Sequence, residues 1–463
     1  MTTKLYSHTE RLRVIQGVLL CILLVAIDQT VVLPAIPQMA KTLHGARYLS
    51  WVVSAYLLAS TATTPIYGKL SDQFGRAKIL VPCLLEFMLA SVVCALAPNV
   101  LILLLGRTLQ GLGGGALLAI AQAAVADVVP PRERGRYQAW FSSMWALASG
   151  AGPVLGGYLA QHLSWRFIFW INVPLGVLAL VLCLRGLKNL PAAGQRGKID
   201  LAGAFLLMSS STLALIVVSL GGVDLPWFSW QEVGLLVLTI GGFVVFRFQQ
   251  RLAPAPLLPG GLLKRLRAVI AVGWLNTGAM FAGIFIFPLL FHNIFHESAS
   301  RTGIAMVPFL LGVTGGAYTA GRVAQLTGLV RPTLMIGLFC SSACAIALCF
   351  APLLAPMLLS GVLGFSLGMI SPTTLMASQS LAQPQEVGIA TGMLLLLRSM
   401  GGAFGATLAG IALKAGPSSN LNDYRFSFGI CAALTLTGLL IVLLGPEIRL
   451  RGEAAPAANA LEE

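Results

Sequence analysis

Asp28 sits in LLVAIDQTVVLPAI, inside a long run of apolar residues. An ionised carboxylate in hydrocarbon costs about 2.5 kcal/mol or more on insertion scales, and intramembrane acids are functional by default. Burial disfavours the charged form of a carboxyl. A group poised between its two forms can load a proton from one side and release it to the other. A bound organic cation favours the charged form, so proton and cationic substrate would compete for one carboxylate. The bland alternative is an aspartate bonded to a neighbouring helix with no transport role. Arg107, in LLLGRTLQG, is a second deep charge. A permanent cation there needs a partner, and it either senses the charge of Asp28 or supports a polar helix face. Glu86, in VPCLLEFMLA, reads as a second proton or cation site, or as a protonated carboxyl packed among helices. Arg398, in LLLLRSMGG, reads as an anchor in an interhelical network or as a substrate contact.

Other chemistries find little material. GLGGGALL (111–118) lacks the GK[ST] ending of a phosphate loop and lies inside an apolar span. Gly111 and Gly115 read instead as a small-residue face for close helix packing. The eight cysteines all fall in apolar stretches and form no CxxC pair, so they read as small buried hydrophobes and not as disulfides or metal ligands. His292 and His296, in FHNIFHES, share one helix face, but two ligands at a membrane edge make a thin metal site. No Ser/Lys, His/Asp or metal cluster of the kind a polytopic membrane enzyme needs is evident. The basic residues are spread over short loops, which argues against nucleic-acid binding.

The elements that position these residues follow from composition. The chain has 463 residues, of which 57% are hydrophobic and 10% charged. Soluble domains carry about 25% charged residues, so this is an all-α polytopic membrane protein. About 20 apolar residues cross a bilayer as a helix. Fourteen candidate spans result: 14–34, 50–68, 79–97, 100–124, 137–161, 167–184, 201–220, 231–248, 268–291, 303–321, 332–351, 354–376, 388–413 and 427–445. An even count puts both termini on one side. That side holds 22 of the 30 Lys and Arg residues and the other side holds 6, with Arg107 and Arg398 inside spans. The asymmetry places both termini in the cytoplasm. The first span is too long for a signal peptide and reads as uncleaved. Trp51, Trp165, Trp170, Trp227 and Trp230 lie near span ends as interface anchors.

An internal repeat organises the spans. Gly68 and Gly75 recur as Gly321 and Gly328, Gly111 and Gly115 as Gly364 and Gly368, and Gly152 and Gly157 as Gly405 and Gly410, all at an offset of 253. One offset serving three regions in order implies two six-helix bundles in the same orientation. The expected organisation is an N-terminal bundle over 1–185, a two-span insertion with cytoplasmic linkers over 186–264, a C-terminal bundle over 265–446 and a soluble tail over 447–463. Such repeats place a small-molecule site between the halves near the midplane and work by alternating access. Without nucleotide machinery, and with no cofactor called for, a proton gradient is the natural driver. Met280, Phe281 and Phe285 are candidates for the wall of an apolar cavity, with plain packing as the alternative reading.

GKLSDQFGRAK, RTLQG, GPVLGG and WRFIFWINVPLG, taken in order, resemble the major facilitator superfamily. Fourteen spans with IDQTVVLPAIP in the first are similar to its drug:proton antiporter branch with two extra helices. The resemblance covers nearly the whole chain. It implies that Gly68, Asp72, Gly75 and Arg76 form the cytoplasmic gating loop that latches the two halves. It implies that Arg107, Gln110 and Gly111 carry the fourth-span proton-transfer signature, with Gln110 also near the substrate cavity. Gly152, Pro153, Gly156 and Gly157 match the fifth-span antiporter signature, and Asp28 matches the branch's first-span acid. Asn172 and Pro174 match a sixth-span signature with an expected structural role. Gln73 and Ala77 depart from the basic residues frequent in the loop, and Ala148 departs from a frequent glycine. The C-terminal half has no acid well inside a span, which argues against dicationic substrates and points to monovalent lipophilic cations, or to neutral and zwitterionic compounds. The expectation is a proton-coupled exporter of lipophilic, cationic drugs or toxic compounds in a bacterial-type cytoplasmic (inner) membrane. Export of one metabolite, metallophore or lipid on the same fold is the rival. An importer and a polytopic enzyme are more distant rivals, and an accessory export partner is left open.

Overall fold

The computed structural model describes residues 8–43, 50–129, 133–186, 200–221, 226, 228–254, 256, 260–297, 299–353, 355–413 and 420–445. The expected soluble tail lies outside these residues, as does most of the linker after residue 186. The first group of helices is α1 (His8–Val31), α2 (Ile36–Leu43), α3 (Ser50–Phe74), α4 (Arg76–Leu96), α5 (Val100–Val128), α6 (Arg134–His162), α7 (Phe167–Trp170) and α8 (Asn172–Gly186). Then come α9 (Leu201–Leu220) and α10 (Trp230–Leu252). The last group is α11 (Gly260–Asn293), α12 (Ala299–Ala305), α13 (Val307–Thr327), α14 (Arg331–Phe350), α15 (Pro356–Leu381), α16 (Val387–Ala412) and α17 (Leu421–Leu444). Helix starts are capped where the sequence supplies a short acceptor. Asn99 accepts from Ile102 N, Asp200 from Gly203 N and Ser229 from Glu232 N. Asp200 also accepts from Gln249 and Gln250 at the end of α10, which ties α9 and α10 into a hairpin.

The 253-residue offset is visible as packing. A Cβ on Gly111 or Gly115 would strike the carbonyls of Tyr56 and Ser60, so α5 lies backbone-close on α3. A Cβ on Gly364 or Gly368 would strike the carbonyls of Phe309 and Val313, so α15 lies as close on α13. Tyr56 and Phe309, like Ser60 and Val313, are themselves 253 apart. Gly75 and Gly328 hold φ of 97° and 67°, the left-handed region that glycine enters without a Cβ clash. Glycine thus ends both α3 and α13, but with ψ of 143° at Gly75 and 4° at Gly328 the two turns differ in shape.

The two groups of helices meet chiefly through α16 against α3 and α5, and through α13 and α15 against α6. The α9–α10 hairpin rests on α3 and α16. A continuous apolar cluster joins all three parts, with Ala123 and Ala126 on α5, Leu207 on α9, Phe246 on α10, and Leu266, Leu375 and Ile389 beyond.

Ten of the described helices are long and apolar enough to cross a membrane by length and composition. Fourteen helical stretches of at least twenty residues are described, with α7 and α8 taken as one. The four that miss the membrane criterion are α3, α6, α9 and α13. Of these, α3, α6 and α13 carry the contacts between the halves. Helices that bury small and polar residues against protein, such as Ser60, Thr63 and Thr64 on α3, need less apolar surface toward lipid.

Candidate functional site

The α1 acid is the centre of a sealed polar network. Asp28 is fully buried, and its carboxylate accepts from three side chains. Arg107 Nη1 donates to Oδ2 at 2.7 Å, Gln110 Nε2 to Oδ1 at 2.8 Å and Asn172 Nδ2 to Oδ1 at 2.7 Å. Arg107 Nη1 also donates to Gln110 Oε1 at 2.7 Å, and its Nε donates to the Val52 carbonyl at 3.0 Å. The guanidinium lies 4.4 Å from the centroid of the Tyr56 ring, a cation–π contact. Gln110 Nε2 and Asn172 Nδ2 both reach Ser91 Oγ, at 2.8 and 3.4 Å. Every partner of Asp28 is a donor, so the arrangement suits a carboxylate. The expectation that Arg107 needs a partner is met by Asp28 itself.

Arg107 and Gln110 share one face of α5 because they stand three residues apart. Gly111 and Gly114 make the site possible. A Cβ on Gly114 would strike the Tyr56 hydroxyl, and one on Gly111 the Tyr56 backbone. Asn172 is the first residue of α8, where the α7–α8 break aims its side chain at α1. Asn172, expected to be structural, is therefore a direct partner of the acid. Ser91 and Tyr56 were not anticipated.

Glu86 is not part of this network. It lines an apolar groove of about 340 Å³ with Pro82, Leu85, Leu89, Ala90, Val93 and Leu109. Leu85, Leu89 and Leu109 are 41%, 68% and 36% exposed, so the groove opens on the outer surface of α4 and α5.

The α3–α4 loop, expected to gate the two halves, is bonded to the start of α16. Asp72 accepts from the backbone N–H groups of Gly388 and Ile389, both at 2.9 Å. These amides open α16, where a helix leaves donors unsatisfied and favours negative charge. Arg76 Nη1 pairs with Asp72 Oδ1 at 2.7 Å and Arg76 Nε with Asp127 Oδ2 at 2.8 Å. Arg76 also donates to Ser71 Oγ, which donates to the Gly68 carbonyl. Gly68 and Gly388 touch backbone to backbone, and a Cβ on either would strike the other's carbonyl. Gly75 supplies the turn that brings Arg76 under α3. Nearby, Gln379 Nε2 on α15 donates to the Gln122 carbonyl on α5 at 3.3 Å, a further tie on the same face.

On α6, Gly152 and Gly156 press against Thr30 and Val31 of α1, within a turn of Asp28. Thr30 Oγ1 donates to the Ala148 carbonyl at 2.9 Å, so the residue that departs from the signature still joins the two helices through its backbone. Gly157 has no such close neighbour, and Pro153 falls within α6. In the other half, Arg398 donates from Nε to Thr277 Oγ1 at 3.3 Å and from Nη2 to Ser371 Oγ at 2.9 Å. Met280 packs against the core of that half, while Phe281 and Phe285 lean on α16 near Gly402 and Gly410 with 42% and 39% of their surface exposed. Arg398 therefore shares no hydrogen-bond partner with Asp28, and its partner Thr277 lies one turn from Phe281 on α11. His292 Nδ1 meets the Glu297 carbonyl at 3.0 Å just past α11.

A model of the Major Facilitator Superfamily matches residues 18–406 and 269–460. The chain belongs to the major facilitator superfamily. Among curated relatives, Multidrug transporter protein MdtP of Bacillus subtilis is 31% identical over 90% of this chain and 78% of its own length. Multidrug resistance protein 3 of the same organism is 31% identical over 89% and 81%. The crystal structure of the human organic anion transporter MFSD10 superposes with a TM-score of 0.68, covering 93% of this chain and 99% of that one. At 18% identity this last match speaks to the fold alone. As a member of the superfamily the chain is a multi-pass membrane transporter and not an enzyme.

Proposed function

We propose that the chain is a proton-coupled antiporter that exports lipophilic drugs or toxic compounds by alternating access. The relatives named as multidrug transporters support the export class. The observation that carries the coupling is the sealed acid: Asp28 and Asn172 are fully buried, Arg107 is 1% exposed, and the carboxylate accepts from three side-chain donors. Three donors hold this carboxylate in place, and one of them is the permanent cation Arg107. Protonation would release Arg107, whose permanent charge must then find new acceptors. That exchange gives a proton a structural consequence on α5, α3 and α8 together.

The latch of Asp72, Arg76 and Asp127 on the start of α16 supports a state closed on one face. We read that face as cytoplasmic from the charge asymmetry, with fourteen spans, both termini inside and the chain in the cytoplasmic membrane. The expectation of a cation competing for Asp28 draws no support from the geometry, because Arg107 already occupies that carboxylate.

The test is uptake of a panel of lipophilic dyes into inside-out vesicles with an imposed pH gradient. Accumulation that nigericin abolishes is the expected result. Accumulation indifferent to the gradient would exclude proton coupling, and no accumulation of any dye would remove the drug-export reading.

A further inference from the structure

The C-terminal half holds a permanent cation without a counter-ion. Arg398 lies twelve residues into the 26-residue α16, near the middle of the span. Between Gly260 and Ala412 the sequence contains two acids, Glu297 and Glu386. Both stand at helix ends, and both are engaged there, Glu386 with Arg265 at 2.6 Å and Glu297 with Arg301 at 3.6 Å. Among the described residues no carboxylate pairs with Arg398. Its protein partners are two hydroxyls, Thr277 on α11 and Ser371 on α15.

Those hydroxyls are committed elsewhere as well. Thr277 Oγ1 donates to the Gly273 carbonyl at 2.8 Å, and Ser371 Oγ accepts from Asn276 Nδ2 at 3.2 Å. Neither supplies negative charge, and Nη1 of Arg398 keeps its two N–H groups without a protein partner among the described residues. An arginine at this depth is costly unless an anion reaches it. The N-terminal half differs, because there Asp28 neutralises Arg107. Together the two central sites carry one uncompensated positive charge, and it stands on α16, the helix that packs against α3 and α5 of the other half.

We propose that Arg398 is the binding group for a carboxylate on the substrate, so that the transported compounds are lipophilic organic acids or zwitterions and not simple cations. The guanidinium fork matches a carboxylate in two parallel hydrogen bonds. The helices that hold Arg398 also carry the aromatic surface an amphiphile needs. Trp274 on α11 and Phe404 on α16 meet as tilted rings with centroids 4.9 Å apart, and Phe281 follows two turns along α11. Gly273 leaves room for the arginine stem, since a Cβ there would sit 3.3 Å from Arg398 Cγ. The inference rests on the exporter reading for its meaning in transport, but binding alone can be measured without it.

The experiment compares 2-naphthoate, 2-naphthamide and tetraphenylphosphonium. Equilibrium dialysis measures binding to the purified full chain, and inside-out vesicles with a pH gradient measure uptake. The wild type is expected to bind naphthoate and to bind the other two weakly. Arg398→Gln is expected to weaken naphthoate about ten- to a hundredfold, the range for a hydrogen bond to a charged group. Arg398→Lys keeps the charge without the fork and is expected to retain part of the binding, which also guards against a variant that fails to fold. Naphthoate that binds Arg398→Gln as well as wild type overturns the inference. So does a wild type that binds no naphthoate, or one whose binding equimolar chloride abolishes, since Arg398 would then hold an inorganic anion only. Gradient-driven uptake of tetraphenylphosphonium that ignores Arg398 keeps the exporter and removes this inference. Naphthoate binding that depends on Arg398 with no driven uptake of any probe keeps this inference and removes proton-driven export.

Discussion

Replacing Asp72 by asparagine is expected to unlatch the face that the α3–α4 turn closes. In the wild type the carboxylate holds two amides at the start of α16, Gly388 and Ile389, each at 2.9 Å. Asparagine keeps one acceptor oxygen, so one of these bonds is lost and the other loses its charge assistance. Bonds to charged groups contribute about 1.5–3 kcal/mol each. The closed arrangement therefore loses about 2–3 kcal/mol, roughly a 30- to 150-fold shift toward opening. Arg76 is not stranded by the change, because Asp127 still pairs with it at 2.8 Å. The variant thus tests the latch and not the stability of a buried charge. Hydrogen–deuterium exchange of the protein in nanodiscs reads the effect directly, since the two amides that Asp72 accepts from are the reporters. Exchange in a peptide covering 387–392 is expected to speed up in Asp72→Asn, while peptides from α14 and α17 stay unchanged. Equal exchange in both proteins, with equal transport, would refute the latch.

Arg107→Gln leaves a buried carboxylate with neutral donors and is expected to cost about 3–5 kcal/mol in thermal unfolding, as broken buried pairs do; combining it with Asp28→Asn should recover part of that loss. Gly115→Val places a side chain 2.2 Å from the Ser60 carbonyl and is expected to lower the melting temperature and the folded yield, whereas Gly234→Ala, with nothing within 4 Å, leaves both unchanged or slightly higher. Glu86→Gln changes a carboxyl on the outer groove of α4 and α5, and proton-driven uptake is expected to stay within about twofold of wild type.

Much of the N-terminal site was legible because charge is rare in an apolar run. Asp28, Arg107 and Gln110 stand out by residue type, and the structure brings all three into one network. Asn172 and Ser91 were harder to see. Asn172 lies 144 residues from Asp28, and only the α7–α8 break turns it inward. Its signal was an amide in an otherwise apolar stretch, a residue that must find a partner when buried. Asp127 carried a similar signal at the end of α5 and proved to share Arg76 with Asp72. Glu86 could not be placed from sequence. A helix apolar on all sides does not reveal which face meets protein and which meets lipid. The glycine offset was most informative at Gly111 and Gly115 and at Gly364 and Gly368, which mark positions where backbones touch, whereas Gly157 and Gly410 mark none. The span count met a different obstacle, since α3, α6 and α13 spend their polar residues on the contact between halves and fall short on apolarity.

The central claim is that Asp28 couples a proton to the substrate. Proteoliposomes loaded with a pH-sensitive dye test it most directly, using a compound that the wild type accumulates in vesicles. Adding that compound on one side should move protons in the opposite direction through the wild type. Asp28→Asn is expected to bind the compound and move no protons. Substrate-driven proton movement through Asp28→Asn at the wild-type rate would contradict the account and leave Asp28 with a purely structural role.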